Sequence, residues 1–262
     1  MQCENSIERE KFRMKFCIRA AACVLACAAM PAAAGEVLVA AAASLTNAFR
    51  DLAAQYETAH PGTKVLTTFG ASDVVLRQIV EGAPADVFAS ADQKAMDKAV
   101  AANAVDPASR ADFVRNEVVL IVPADDRHGI RSLADLGKPG VTRIALGNPG
   151  SVPVGRYTRA ALEKAGAWRT VEAHAILGGN VRQVLSYVER GEVDAGFVFA
   201  TDAAIMKAKV KVVQVIETPV PVVYPIALVQ RPGRAPEAAD FLAFVLSADG
   251  QAVLARHGFA RP

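Results

Sequence analysis

The sequence predicts an α/β fold of two lobes, each built on a mostly parallel sheet, joined by two crossing strands. Three observations predict it. Strand and helix signals alternate along residues 36–257 almost without interruption, as repeated βα units require. There are more such units than one small sheet uses. The first apolar run, EVLVAAAA at 36–43, has no polar break after its first residue, which fits a strand covered on both faces of a parallel sheet.

Residues 1–34 are set apart from both lobes. Met14, Lys15 and Arg19 precede the apolar stretch 20–30, and Ala32, Ala33 and Ala34 precede Gly35. Such a charged start, apolar centre and small-residue end predict a secretory signal peptide, with 1–13 as an overlong start. All four cysteines, Cys3, Cys17, Cys23 and Cys27, fall in this leader. A chain exported without disulfides points to a bacterial periplasm and to a core large enough to be stable unaided. Cys27 is read as part of the signal-peptide centre rather than as a lipid-attachment site. The full chain carries a net charge of +2, and the leader holds the excess bases, so the remainder is neutral. With no Lys/Arg run, a nucleic-acid partner is excluded.

From Leu45 the apolar spacing becomes helical (Leu45, Phe49, Leu52, Ala53, Tyr56). Ser44 therefore stands at a helix N-terminus, where free N–H groups and partial positive charge suit an anion. A plain capping role would also account for it. Residues 64–69 read as a strand, and Gly70, Ala71 and Ser72 open a helix stopped by Gly82. A short strand at 86–90 and a helix at 92–101 follow. Residues 117–122 form a strand ended by Pro123, and Ser132 with Asp135 reads as a capping box.

The next strand is 141–146, then a Gly/Pro loop at 147–153 and a helix from Val154 to Ala165. A strand at 174–177, a turn at 178–180 and a helix beginning at Val181 and stopped by Gly191 come next. Strand 195–200, helix 201–208 and strand 210–216 finish this block. After Pro219 and Pro221, a strongly apolar strand at 222–229 leads to helices at 236–246 and 248–257. Strands 117–122 and 222–229 are expected to carry the chain between lobes: residues 35–117 with 223–262 as lobe 1, and 118–222 as lobe 2. A hinge there would let the lobes close on a ligand.

Ser44, Ser72, Val154 and Val181 each stand at or beside a predicted helix N-terminus. In open α/β sheets such junctions gather where ligands bind. Two junctions from each lobe would deliver N–H dipoles and two hydroxyls to one point, where a charge-assisted hydrogen bond contributes about 1.5–3 kcal/mol. Donors without acceptors select a fully ionised oxyanion.

The stretches AAASLTNAF (41–49), LRQIVEGAPADVFASADQKAMD (76–97), GNPGSVPVGRY (147–157), NVRQVLSYVERGEVDAG (180–196) and VVYPIAL (222–228) resemble the periplasmic molybdate-binding proteins of ABC importers. The resemblance implies a periplasmic-binding-protein fold and a monomeric receptor, not an enzyme and without a cofactor. Such a receptor captures molybdate, and tungstate too, in an interlobe cleft and delivers it to membrane permease subunits driven by an ATPase. It implies that Ser44 and Ser72 give hydroxyl and amide donors and that Val154 and Val181 give amides, holding the metal through its oxygens. One position departs: where some members donate a tyrosine hydroxyl, this chain has Phe199. Thr201, Tyr157, Tyr224 or a water are the candidates to replace it.

Other polar residues receive structural readings. Asp73, which would repel an anion, is expected to face solvent, and Arg156 and Arg182 to lie on solvent faces of their helices. Trp168 is read as a packing aromatic. His60, His128, His174 and His257 have no metal-ligand spacing. A hydrolase lacks a Gly-x-Ser-x-Gly elbow, and no phosphate loop or dinucleotide fingerprint is present. The rival reading is a receptor for another tetrahedral oxyanion such as sulfate, followed at a distance by a secreted hydrolase.

Overall fold

The computed structural model describes residues 35–262; the expected signal peptide at 1–34, Cys27 and the other cysteines lie outside the described residues. The first apolar run forms β1 (Gly35–Ala42), buried from Val39 onward. It lies between β2 (Thr63–Gly70) and β3 (Val87–Ala89), parallel to both. The sheet continues through β10 (Val222–Leu228) to β4 (Ala111–Asn116), giving the order β2-β1-β3-β10-β4.

The second sheet contains β5 (Val118–Pro123), β6 (Ile144–Gly147), β7 (Ala175–Gly178), β8 (Ala195–Phe199) and β9 (Val210–Ile216), ordered β7-β6-β8-β5-β9. Two α/β lobes are therefore present as expected. The sheets are mostly parallel, as expected: in each, four of the five strands run one way and a single strand is reversed. β10 runs against β3 and β4, and β5 runs against β8 and β9. The reason is topological: each of these strands enters its sheet directly from the other lobe, with no crossover helix to restore a parallel direction.

Neither 117–122 nor 222–229 spans the lobes. The chain passes from β4 to β5 through Glu117 alone and returns through residues 217–221. Strand β4 was not anticipated. Its sequence, ADFVRN, buries only Phe113 and Val114, and its pairing with β10 joins distant segments.

The helices follow strand ends. They are α1 (Thr46–Ala59), α2 (Ser72–Val80), α3 (Gln93–Ala101), α4 (Pro153–Lys164), α5 (Trp168–Glu172), α6 (Val181–Glu189), α7 (Ala200–Ile205), α8 (Ala238–Leu246) and α9 (Ala248–Arg256). Helix α1 buries Ala48, Phe49, Leu52, Ala53 and Tyr56, the face its spacing predicts. Phe49 meets the edge of Phe113, and Tyr56 meets Phe241. Burying a Leu or Phe side chain contributes ~1.5–3 kcal/mol, and Leu52→Ala would cost ~2–5 kcal/mol with its cavity.

The Ser132/Asp135 capping box is present, although the turn it opens is a 3-10 helix at Leu133–Gly137. Trp168 begins α5 and packs partly buried against the core, with the Arg159 guanidinium over its ring. Gly155 explains how α4 reaches the cleft. A Cβ there would sit 1.9 Å from the Gly147 carbonyl oxygen, so only glycine lets the helix start press onto the end of β6.

Candidate functional site

Four strand carboxyl ends, those of β1, β2, β6 and β7, lead into the N-terminal turns of α1, α2, α4 and α6. The four expected ligand positions meet there. Ser44, Ser72, Val154 and Val181 line a single small cavity between the lobes, together with Phe199. Its volume is about 10 Å³, the scale of one water molecule and far from the ~300–1,000 Å³ of an organic ligand site. Among the described residues no charged side chain lines it.

Ser44 and Ser72 are 3% and 0% exposed, and neither hydroxyl caps its helix. Plain capping is thus not what these serines do. Ser44 lies in the 3-10 turn Ala43–Leu45, and its Oγ shares a 3.0 Å hydrogen bond with the Tyr224 hydroxyl. Ser72 Oγ accepts from the Ala91 N–H at 3.0 Å. With that lone pair occupied, the Ser72 proton is free to turn toward the cavity.

Val154 is the second residue of α4 and Val181 the first of α6. The N–H groups of a first helical turn have no intrahelical acceptor. At α6 the cap is supplied by Asn180, whose Oδ1 accepts from Gln183 N, beyond Val181. The arrangement offers backbone amides and hydroxyls in a neutral wall, with helix dipoles aimed at the same point.

The other candidates take different places. Phe199 forms an apolar wall, its ring 5.5 Å from that of Tyr224 and 6.5 Å from that of Tyr157. Tyr224 is fully buried behind this wall and does not line the cavity, nor do Thr201 and Tyr157. Burial pushes the Tyr224 hydroxyl well above its ordinary range and raises that of Tyr157, so both stay protonated. Thr201 Oγ1 accepts from Asn116 Nδ2 at 2.8 Å.

Three expectations are corrected around the rim. Asp73 does not face solvent: its side chain is 11% exposed and bonds Arg156 and Lys98. Arg156 is not on a solvent face either. It spans the cleft from α4 to Asp73 and Asp92 of the first lobe. Arg182 is a second bridge, donating to the buried Asp202 and, at 3.0 Å, to Asn47 Oδ1 across the cleft. Each arginine therefore already has carboxylate partners, and neither lines the cavity.

A larger groove of about 870 Å³ opens on the other side of Arg156, lined in part by Asp92, Asp97, Asp112 and Glu163. Lys94, Arg156 and Arg159 line it as well, so its charges are nearly balanced and it offers an anion no net positive field. Among the described residues no group of three His, Cys, Asp or Glu side chains is placed to hold a bare metal ion.

Two α/β lobes, joined at two crossings and closing on a small neutral cavity of amides and hydroxyls, define a two-lobed solute receptor. Residues 37–260 match the family described as bacterial extracellular solute-binding protein, and the chain belongs to that family. It is 37% identical to the molybdate-binding protein ModA of Escherichia coli, over 86% of this chain and 89% of that protein. The periplasmic molybdate-binding protein of Azotobacter vinelandii shares the fold, with a TM-score of 0.73, 24% identity, and coverage of 87% of this chain and 100% of that one. The sulfate-binding protein SubI of Mycobacterium tuberculosis superposes equally well, at a TM-score of 0.73, 20% identity and 87% coverage of both chains. The fold by itself does not select the anion.

Proposed function

We propose that this protein is the periplasmic receptor of an ABC importer and that it captures molybdate, with tungstate as a second ligand, in the interlobe cavity. Ser44 and Ser72 donate through hydroxyl and amide, Val154 and Val181 through amides, and the metal is held only through its oxygens. Lobe 1 comprises residues 35–116 and 222–262, and lobe 2 residues 118–216, with Glu117 and 217–221 as the crossings. The loaded monomer delivers its anion to permease subunits coupled to an ATPase.

The observation that carries this reading is the convergence of four helix starts on one small cavity lined, among the described residues, by no charged side chain. A dianion there gains charge-assisted hydrogen bonds from donors already fixed by the fold. A tetrahedral oxyanion takes more room than one water, and the crossings at Glu117 and 217–221 give the lobes freedom to adjust around it. Hydrogen phosphate fits less well, because its proton needs an acceptor and among the described residues no carboxylate lines the wall. The similarity to E. coli ModA supports molybdate over sulfate.

Calorimetric titration of residues 35–262 with molybdate, tungstate, sulfate and phosphate tests the reading. Saturable one-to-one heat with molybdate and tungstate, and none with sulfate, is expected. Tight sulfate binding in place of molybdate would assign the cavity to the other anion.

A further inference from the structure

The Ser44 hydroxyl is attached to a hydrogen-bond chain whose direction can be read from its far end. That end is Asn116, the last residue of β4, beside the crossing to the second lobe. The Glu117 N–H, which can only donate, points at Asn116 Oδ1 at 2.9 Å. This fixes the side-chain amide, so the atom facing Thr201 and Tyr224 is Nδ2, a donor. Nδ2 gives one hydrogen to Thr201 Oγ1 at 2.8 Å and the other to the Tyr224 hydroxyl at 3.3 Å.

Tyr224 has one further partner among the described residues, Ser44 Oγ at 3.0 Å. A buried hydroxyl that accepts from Asn116 has only that oxygen left to donate to. Ser44 Oγ then accepts from Tyr224, and its own proton turns to the cavity that Ser44 lines. Ser72 reaches the same state by a different route, through the Ala91 N–H.

We infer that Asn116 and Tyr224 are positioning residues that make the Ser44 hydroxyl an obligate donor, and that they thereby set the site's preference for an oxyanion carrying no proton. The inference rests on the cavity being the oxyanion site. It also gives Tyr224 a role other than replacing the donor absent at Phe199: Tyr224 acts through Ser44 from behind the wall. Desolvation keeps the Tyr224 hydroxyl protonated across the physiological range, so the chain keeps its direction.

The test compares molybdate with arsenate, which carries a proton at neutral pH, in wild-type protein and three variants. Tyr224→Phe leaves Ser44 free to accept, so molybdate affinity should fall about tenfold. Arsenate affinity should hold or rise, narrowing the ratio between the two. Asn116→Asp replaces the donor with an acceptor and should reverse the chain, narrowing the ratio further; it serves as the second variant if Tyr224→Phe melts early.

The double variant Ser44→Ala/Tyr224→Phe should bind molybdate no more weakly than Ser44→Ala alone, which a purely structural tyrosine would not produce. An unchanged molybdate-to-arsenate ratio in both Tyr224→Phe and Asn116→Asp, or additive losses in the double variant, would overturn the inference while leaving the receptor reading intact. Wild-type protein indifferent to every oxyanion would remove both together.

Discussion

Arg156 of α4 donates from Nε to Asp92 at 2.7 Å and from Nη2 to Asp73 at 2.6 Å, so one guanidinium of the second lobe holds two carboxylates of the first. The arginine is 13% exposed and its Nη1 has no partner among the described residues. Its charge is matched before any anion arrives. Its contribution to binding is therefore to favour the closed arrangement rather than to attract the ligand.

Removing Arg156 separates these two effects. Asp92 would still accept from Ala95 N and Asp73 would still pair with Lys98, so neither carboxylate is left alone. Arg156→Gln is expected to weaken molybdate binding about tenfold, equivalent to ~1.4 kcal/mol, with the loss unaffected by added salt. X-ray scattering of the variant without ligand should show a larger radius of gyration than wild type. Equal radii with equal affinities would show that the bridge does not hold the lobes together.

The two serines give a second prediction. Ser72→Ala removes a hydroxyl whose oxygen is already satisfied by Ala91, and Ser44→Ala one already bonded to Tyr224. Each deletion should cost at least about tenfold in molybdate affinity, from the worth of a charged hydrogen bond. The melting temperature without ligand should fall for both, because the Tyr224 hydroxyl loses its buried acceptor in Ser44→Ala and the Ala91 N–H loses its own in Ser72→Ala. Titration and thermal melting together distinguish ligation from support.

Much of this site was legible in the sequence because helix starts are local. An apolar run that gives way to helical spacing marks a strand-to-helix junction within a few residues, so Ser44, Ser72, Val154 and Val181 could be placed without a partner in view. What could not be read was anything held by distant segments. Tyr224 and Ser44 are 180 positions apart, and Asn116 and Tyr224 are 108. Asp73 and Arg156 sit on polar faces of their own helices, which look solvent-facing until the opposing lobe is present. Strand β4 was missed for the same reason, since its buried Phe113 and Val114 acquire meaning only beside β10.

Phe199 gives a third prediction. Its ring lines the cavity and is 1% exposed, wedged against Tyr224. Among the described residues, no side chain other than the two serines and Asn180 offers a polar group along the wall. Phe199→Tyr should therefore add a donor and tighten molybdate binding by up to about tenfold, a charged hydrogen bond less the cost of fitting one oxygen. An unchanged dissociation constant would mean that a water already supplies that donor.

Asp202 supplies a prediction about pH. Its carboxylate is fully buried, and burial pushes it up to about 6 against the opposing pull of Arg182, with Oδ2 left unpartnered among the described residues. The folded protein thus holds this proton to higher pH than the unfolded chain, whose carboxylate titrates near 3.8. Its contribution to stability is greatest below pH ~4, declines as pH rises to about 6, and is constant above. The difference corresponds to about 3 kcal/mol at ~1.4 kcal/mol per unit. Asp202→Asn keeps the neutral shape and does not titrate, so the stability of wild type minus variant should fall by that order between pH 4 and 6 in denaturant titrations. A difference flat across this window would mean that Asp202 is ionised throughout and that Arg182 outweighs its burial.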